Sequence, residues 1–393
     1  MIKKIHIQNF KSIYDLELDV GRVNLFIGEN GSGKSNLLEA LVFVSAGESN
    51  KLDNEFLFSR GLRVPEPELM RSAFDEEDKA RDIEIEIDFK EIKTKYNFIH
   101  DNQEYSIWKS QVSTIVNKDS VDKFINLLQN NQKHLVQEMS EITKQEKQKN
   151  GLYAVELSLS FNNRDNDLLK YLPSIQNFLI YSPENTALRV FQKEGQIQPL
   201  GINGEGLLKL LKVVNNYEDK SYIKTIIESL QLFNWFEDIT IPTDISSLED
   251  KVIIKDKYLY REFTQRSANE GFLFILFYIT LLVAKETPKA FAIDNIDASL
   301  NPKLCTKLMT LITSLAKKYD KQVFLTTHNP AILDGIDLND EEQKLFVVSR
   351  NKKGHTRMKE ITAKDKPKSS NDEPLKLSEA FLRGYLGGLP KGF

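Results

Sequence analysis

Residues 28–35 read GENGSGKS, and three glycines spaced around Lys34 and Ser35 are the pattern of a loop that wraps phosphate. Gly28, Gly31 and Gly33 free the backbone for left-handed or tightly turned conformations, which aims successive N–H groups inward at phosphate oxygens. Lys34 supplies a point charge for the β- and γ-phosphates and Ser35 a hydroxyl for magnesium, with Asn30, Ser32 and Asn36 as further nucleotide contacts. A second element is the apolar run Phe291, Ala292, Ile293 ending in Asp294, an acid placed to hold magnesium directly or through a water. The next residue is Asn295, whose amide cannot take a proton from an attacking water. Two readings follow. Asp297, on the same side as Asn295 if the chain leaves the strand extended, replaces the missing base; or hydrolysis is weakened or completed by a partner, and Asn295 only orients water. The third element, residues 324–330, is a strand ending in His328, which can sense the γ-phosphate and the lytic water.

These groups need strands that end beside one another. Apolar alternation over residues 2–10 and 16–20 predicts a half-buried hairpin, and the apolar run 23–27 predicts the strand that enters the loop. Residues 36–44 continue as its helix, completing strand, glycine loop and helix. The short apolar runs 290–293 and 323–325, separated by a helix over 302–319, read as a βαβ unit of a parallel sheet. Between these ends, residues 61–78 read as a loop, 83–89 as a strand with one exposed face, and 96–99, 105–108 and 153–161 as further antiparallel strands. A polar segment at about 111–150 has sparse apolar positions at helical spacing over 120–149, which predicts a short inserted helical arm. Residues 177–181 read as a buried strand, and 207–214 and 222–236 as helices of a second lobe. After Arg350 the chain turns basic and polar, the composition of a linker and tail over 351–393.

The 393 residues, 40% hydrophobic and 28% charged, are those of a globular chain with a large core. A net charge of −4 argues against a uniformly basic surface while leaving room for a local basic groove. One cysteine, Cys305, excludes an intrachain disulfide framework and fits a reducing, cytoplasmic setting. The N-terminus lacks a signal-peptide core, and the longest apolar run, 271–284, is shorter than the roughly 20 residues of a membrane helix, so a buried core helix with no membrane partner is expected.

With the three phosphate-site elements in this order, the chain resembles the ABC-type ATPases of the RecF, structural-maintenance-of-chromosomes and OLD group, and residues 5–41 are similar to that group throughout. The resemblance implies an α/β fold: an ABC-type P-loop ATPase head over 1–350, with an antiparallel β subdomain, a helical lobe and the inserted arm. It implies ATP and Mg2+ as cofactors, and ATP sandwiched between two heads of a homodimer or higher oligomer. Each head would complete the other's site with a turn at a helix N-terminus. The matching stretch is 267–271, with Gly271 in place and Asn269 where the group mostly has serine; Ser267 in a shifted register is the alternative. Residues 298–302 look like the group's trans-acting loop. Residues 199–207 and the tail 377–390 look like small anti-phage defence ATPases of the PARIS and Septu type. That narrower resemblance implies a protein effector, toxin or nuclease, and a phage protein or DNA as trigger. The expectation is a slowly hydrolysing regulatory ATPase, the alternative a RecF-like DNA-binding repair ATPase. The stretch after His328 leaves no room for an OLD-type nuclease domain.

Overall fold

The computed structural model describes residues 1–90, 92–116, 157–160, 174–191, 195–243, 251–367 and 375–389. Among these, two six-stranded sheets enclose a central helix. The first sheet is antiparallel, in the order β2-β1-β4-β5-β6-β7, and is built from β1 (Lys4–Phe10), β2 (Ile13–Asp19), β4 (Ile83–Asp88), β5 (Ile92–Ile99), β6 (Lys109–Val116) and β7 (Leu157–Ser160). The second is mostly parallel, in the order β15-β14-β3-β13-β12-β8, from β3 (Val23–Gly28), β8 (Ile180–Tyr181), β12 (Ala290–Ile293), β13 (Gln322–Thr327), β14 (Gln343–Arg350) and β15 (Thr356–Ile361). A small antiparallel sheet joins β9 (Phe236–Thr240), β10 (Ile253–Asp256) and β11 (Phe263–Thr264).

Alternation along the parallel strands divides the interior in two. Leu25, Ile293, Leu325 and Val347 face one core, and Phe26, Ala292, Phe324 and Phe346 face the other. Helix α1 (Lys34–Glu48) lies in the second core between the two large sheets, which is why it is apolar on nearly every side rather than along one stripe. Its Phe43 ring packs on Phe10, Phe98 and Trp108 of the antiparallel sheet and its loops. Glu39, an acid of α1 inside that core, is 1% exposed and bonds Lys11 Nζ at 2.5 Å and Arg63 Nε at 2.6 Å. Gln322 ties the sheets together: its Oε1 accepts from the Ile2 amide, and its Nε2 donates to the carbonyls of Ile2 and Gly21. The other core is covered by α2 (Leu207–Asn215), α3 (Ser221–Leu230), α4 (Glu270–Val283) and α5 (Pro302–Lys318). Helix α4 is the expected buried core helix, and no helix of the described residues is long and apolar enough to cross a membrane.

Several sequence expectations need correction. Residues 105–108 are loop rather than strand, with Tyr105 fully solvated, and pairing begins only at Lys109. Residues 111–116, placed at the start of the inserted arm, continue β6 against β5; the arm itself, 120–149, lies outside the described residues. The helix expected to reach 236 ends at Leu230, and Phe236 opens β9. The linker expected from 351 instead contains β15, antiparallel to β14. As an edge strand with only Thr356 and Ile361 fully buried, β15 needs no apolar alternation, so composition did not reveal it. The tail is also anchored: α6 (Leu377–Leu382) buries Leu377, Ala380 and Phe381, and Ser378 bonds the Asp334 carboxylate through its amide and hydroxyl at 3.0 and 2.7 Å. Beyond it, a Cβ on Gly388 would lie 2.5 Å from Val347 Cγ1 and 3.7 Å from Gly28 Cα, so the tail passes directly over the phosphate-type loop.

Candidate active site

The three elements singled out in the sequence meet because β3, β13 and β12 are adjacent and parallel, so their C-terminal ends open on one edge. Gly28 ends β3 and the loop turns back into α1 through Gly33, whose φ of 104° lies in the left-handed region. A Cβ on Gly33 would also come within 2.1 Å of Thr356 Oγ1, so both backbone angle and space require glycine. Thr356 Oγ1 in turn donates to the Ser32 carbonyl at 3.0 Å, and Asn36 Nδ2 donates to Ser12 Oγ at 2.6 Å. The loop is therefore held from outside by β15 and by the β1–β2 turn.

Lys34 is 6% exposed, with its Nζ donating to the carbonyls of Gly28 and Glu29, both at 2.9 Å. Burial pushes this ammonium down to about 8, against the pull of the Asp294, Glu29 and Asp297 carboxylates. Ser35 Oγ lies 3.2 Å from Asp294 Oδ2, which brings the predicted magnesium pair together. Asp294 also accepts from the Thr326 hydroxyl, and that hydroxyl accepts from the Asn295 amide at 2.9 Å.

Asn295 does not leave the strand extended. Its φ is 54°, the Ala298 amide bonds back to its carbonyl at 3.0 Å, and its side chain is exposed. Asp297 is consequently not a free acid on the same side: its Oδ1 accepts from Thr327 Oγ1 at 2.6 Å and from the His328 amide at 3.3 Å. His328 stands at the end of β13 with its imidazole held below the usual value, by partial loss of water first and the Lys34 charge second, against Asp297 and Asp294. The shift favours the neutral ring, and a bond to the Gly28 backbone opposes it.

The residues of this edge fit a magnesium nucleotide. The glycine loop is packed so closely from outside that Cβ atoms on Gly28 and Gly33 would strike Val348 and Thr356, Ser32 Oγ is buried without a hydrogen-bond partner among the described residues, and Ser35 with Asp294 forms a pair of oxygen donors suited to a hard cation. Beside Asn36 a cavity of about 600 Å³ is lined by Lys11, Ser12, Arg63, Phe74 and Arg350. Asn30 and Gly31 lie exposed at the tip of the loop.

Asn269 and Gly271 lie elsewhere in the chain. Asn269 caps α4, its Oδ1 accepting from the Phe272 amide at 2.8 Å, and its described hydrogen bonds stay within that turn. Ser267 is equally exposed, so both registers remain presented at the surface. A Cβ on Gly271 would be 3.2 Å from the Ser299 carbonyl, which places the α4 N-terminus against the 298–302 turn. Arg189, which the sequence did not single out, fixes the approach to this turn. Its Nη1 donates to the carbonyls of Gln265 and Arg266 at 2.8 and 2.6 Å, its Nη2 to Ala268 at 2.8 Å, and its Nε to Asn185 Oδ1 at 2.9 Å. Thr326 and Thr327 were also missed, although two hydroxyls directly before His328 are a legible signal.

The family model described as "AAA domain, putative AbiEii toxin, Type IV TA system" matches residues 23–334. Among curated proteins, the chain is 43% identical over 67 residues to an uncharacterized protein of Methanocaldococcus jannaschii, covering 16% of this chain and 31% of that protein. It is 34% identical over 55 residues to the DNA replication and repair protein RecF of Clostridium botulinum, covering 14% of this chain and 15% of RecF. The chain thus spans well under half the length of either relative. Among solved structures, the Smc head bound to the C-winged helix domain of ScpA is 13% identical, with 92% of this chain and 98% of that chain covered and a TM-score of 0.49. The SMC head domain from Thermotoga maritima is 16% identical, with 92% and 99% covered and a TM-score of 0.45.

The Lys34 environment makes a pH prediction. An amine whose folded pKa is below its unfolded value weakens the fold while charged, so stability of the nucleotide-free chain should rise with pH from about 8 towards 10.5. Lys321, also lowered to about 8 by burial, contributes with the same sign. The informative quantity is therefore a difference: thermal unfolding across this window should show a smaller rise for Lys34→Met than for wild type, and parallel curves would contradict the assignment.

Proposed function

The chain belongs to that AAA-domain family and has the α/β fold of an ABC-type P-loop ATPase head, and on this premise we propose that it is a slowly hydrolysing regulatory ATPase whose ATP-bound state holds a partner effector. The observation that carries the reading is the end of β12. Asn295 offers only an amide, Asp297 is bonded to Thr327 and His328, and Asp294 is bonded to Thr326 and Ser35. Among the described residues, each carboxylate at that strand end already accepts protein hydrogen bonds, and the position after Asp294 supplies none. Loss of a general base costs about 10²- to 10⁴-fold in rate, enough to turn an engine into a timer.

In this reading Gly28 to Gly33 wrap the phosphates, Lys34 swings from its two carbonyls to the β- and γ-phosphates, and Ser32 Oγ gains the acceptor it lacks. Ser35 and Asp294 would hold magnesium, which when bound neutralises charge building on the phosphates. Asn295, fixed through its amide by Thr326, orients the attacking water, and neutral His328 accepts a hydrogen bond from it. Lys11, Ser12 and Arg63 would receive the nucleoside side in the adjoining cavity.

The exposed α4 N-terminus, with Asn269 and Gly271 beside residues 298–302, would meet the γ-phosphate of a second copy, so that ATP joins two heads. Arg189 acts as a positioning residue for that turn. The family's description, which names a putative toxin of a type IV toxin–antitoxin system, supports a role within such a system; a toxin or nuclease effector and a phage protein or DNA trigger in anti-phage defence are the partners we propose. The head is proposed to run from residue 1 through β15, with the arm inserted after β6 and the tail returning over the P-loop.

A second reading, a RecF-like DNA-binding ATPase, draws on one surface. Lys352, Lys353 and Arg357 line a cavity of about 710 Å³ with Tyr14 and His355, whose rings stack at 4.5 Å between centroids. Asp15 and Glu17 on the same wall offset that charge. Strongly salt-dependent duplex binding by the purified chain would favour this reading over the first.

Two variants test the proposal. Asn295→Glu should raise ATP turnover by about tenfold or more, read by phosphate release; an equal or lower rate would count against a missing base. Arg189→Ala should leave nucleotide affinity within about twofold but abolish ATP-dependent self-association in sedimentation, and Arg189→Lys should restore it only in part. Normal self-association by Arg189→Ala would remove Arg189 from the mechanism.

A further inference from the structure

Away from the phosphate edge, two buried polar atoms near the outer strand of the parallel sheet, Arg60 Nε and the Tyr181 hydroxyl, lack hydrogen-bond partners among the described residues. Arg60 follows the short helix Asn54–Ser59, and its carbonyl accepts the Ile180 amide at 3.1 Å, fixing it beside β8. Its guanidinium lies 4.2 Å from the centre of the Phe56 ring. The side chain is half-buried, its Nε is sealed from solvent without a hydrogen bond, and no described carboxylate pairs with it. Tyr181, the last residue of β8, is 0% exposed between the rings of Phe277 and Phe291, and its hydroxyl has no partner either. Arg60 and Tyr181 both line one cavity of about 550 Å³, walled by residues 174–179, 197–199 and 285–290.

The neighbouring acids are already engaged. Glu286, on the cavity wall, accepts from the Tyr217 hydroxyl, and Glu48, behind Ser174 and Ile175, accepts from Ser174 Oγ, the Ile175 amide and Tyr96 OH. Lys289 adds positive charge at the mouth, 72% exposed and only 3.7 Å from the solvated Asp320. A guanidinium needs an anionic acceptor when drawn out of water, and a buried hydroxyl with only apolar rings beside it needs a polar one. One incoming group that accepts from both, and carries negative charge, satisfies both needs. The volume lies in the range of small-molecule sites.

We propose that this cavity binds a small organic oxyanion, with a phosphate or carboxylate group seated on the Arg60 guanidinium and the Tyr181 hydroxyl. None of residues 28–36 lines it, so the site is separate from the P-loop. It is nonetheless one hydrogen bond from the catalytic edge, because the Tyr181 carbonyl accepts the Asp294 amide at 2.9 Å.

The test uses the full chain with its P-loop saturated by a non-hydrolysable ATP analogue, titrated calorimetrically with inorganic phosphate and separately with acetate, against chloride at equal ionic strength. Saturable binding of at least one anion is expected, and which one answers tells the phosphate source from the carboxylate source. Tyr181→Phe, which removes one oxygen from an apolar cage and keeps the ring, should weaken it by about tenfold or more, and Arg60→Gln should abolish it. The proposal is overturned if neither anion binds wild type, or if both variants bind as wild type does. It is equally overturned if Tyr181→Phe melts higher than wild type and neither anion stabilises wild type, since the hydroxyl is then only an unsatisfied group.

Discussion

The hydroxyl of Thr326 joins the ends of two strands: it donates to the Asp294 carboxylate and accepts from the Asn295 amide. Everything at the candidate site depends on that junction. It holds Asp294 facing Ser35 across the loop, and it pins Asn295 in a left-handed turn that an extended strand end would not have. A side chain other than glycine at φ 54° carries strain, and asparagine is among the residues that tolerate it best. The same turn sets Asp297 Oδ1 to accept from Thr327 and His328. One hydroxyl thus links the Ser35–Asp294 pair to the turn at Asn295.

The rest of the fold keeps this edge rigid. The strands that end there are buried on both faces, between a helical core and a core shared with the antiparallel sheet. Helix α1 carries the loop into the middle of that second core, where Glu39 binds Lys11 and Arg63, two residues that also line the cavity beside Asn36. Removing Lys11, the buried partner, would cost about 3–5 kcal/mol on the scale of buried pairs, so that ion pair couples the shape of the cavity to the seating of the helix, while Arg63 is largely solvated. From the far side the tail closes over Gly28, and the strand β15 braces Ser32 through Thr356.

How much of this could be read in the sequence follows from the distance between partners. Lys34, Ser35, Asp294 and His328 were legible because each sits in a local pattern of strand end and loop, and the parallel order that unites them follows from the βαβ unit between Asp294 and His328. Arg189 was not legible, because the carbonyls it holds lie 76 to 79 residues away and carry no residue-type signal. Asp297 stayed open as a candidate base in the sequence because a backbone turn, not a side chain, decides its direction. The edge strand β15 was hidden because an edge with little buried surface can be built from a basic, polar sequence. Arg60 carried no pattern and Tyr181 only that of a buried strand; their shared lack of partners among the described residues, visible in three dimensions, marks them.

The account stands on the claim that this site keeps ATP longer than it cleaves it. A single-turnover measurement addresses that claim directly: excess protein with magnesium is mixed with radiolabelled ATP, and bound uncleaved nucleotide is followed over time. The account predicts tight binding dependent on Lys34, with most bound ATP intact for minutes. A wild-type cleavage rate of about 1 s⁻¹ or faster, the ordinary range for enzymes, would contradict it.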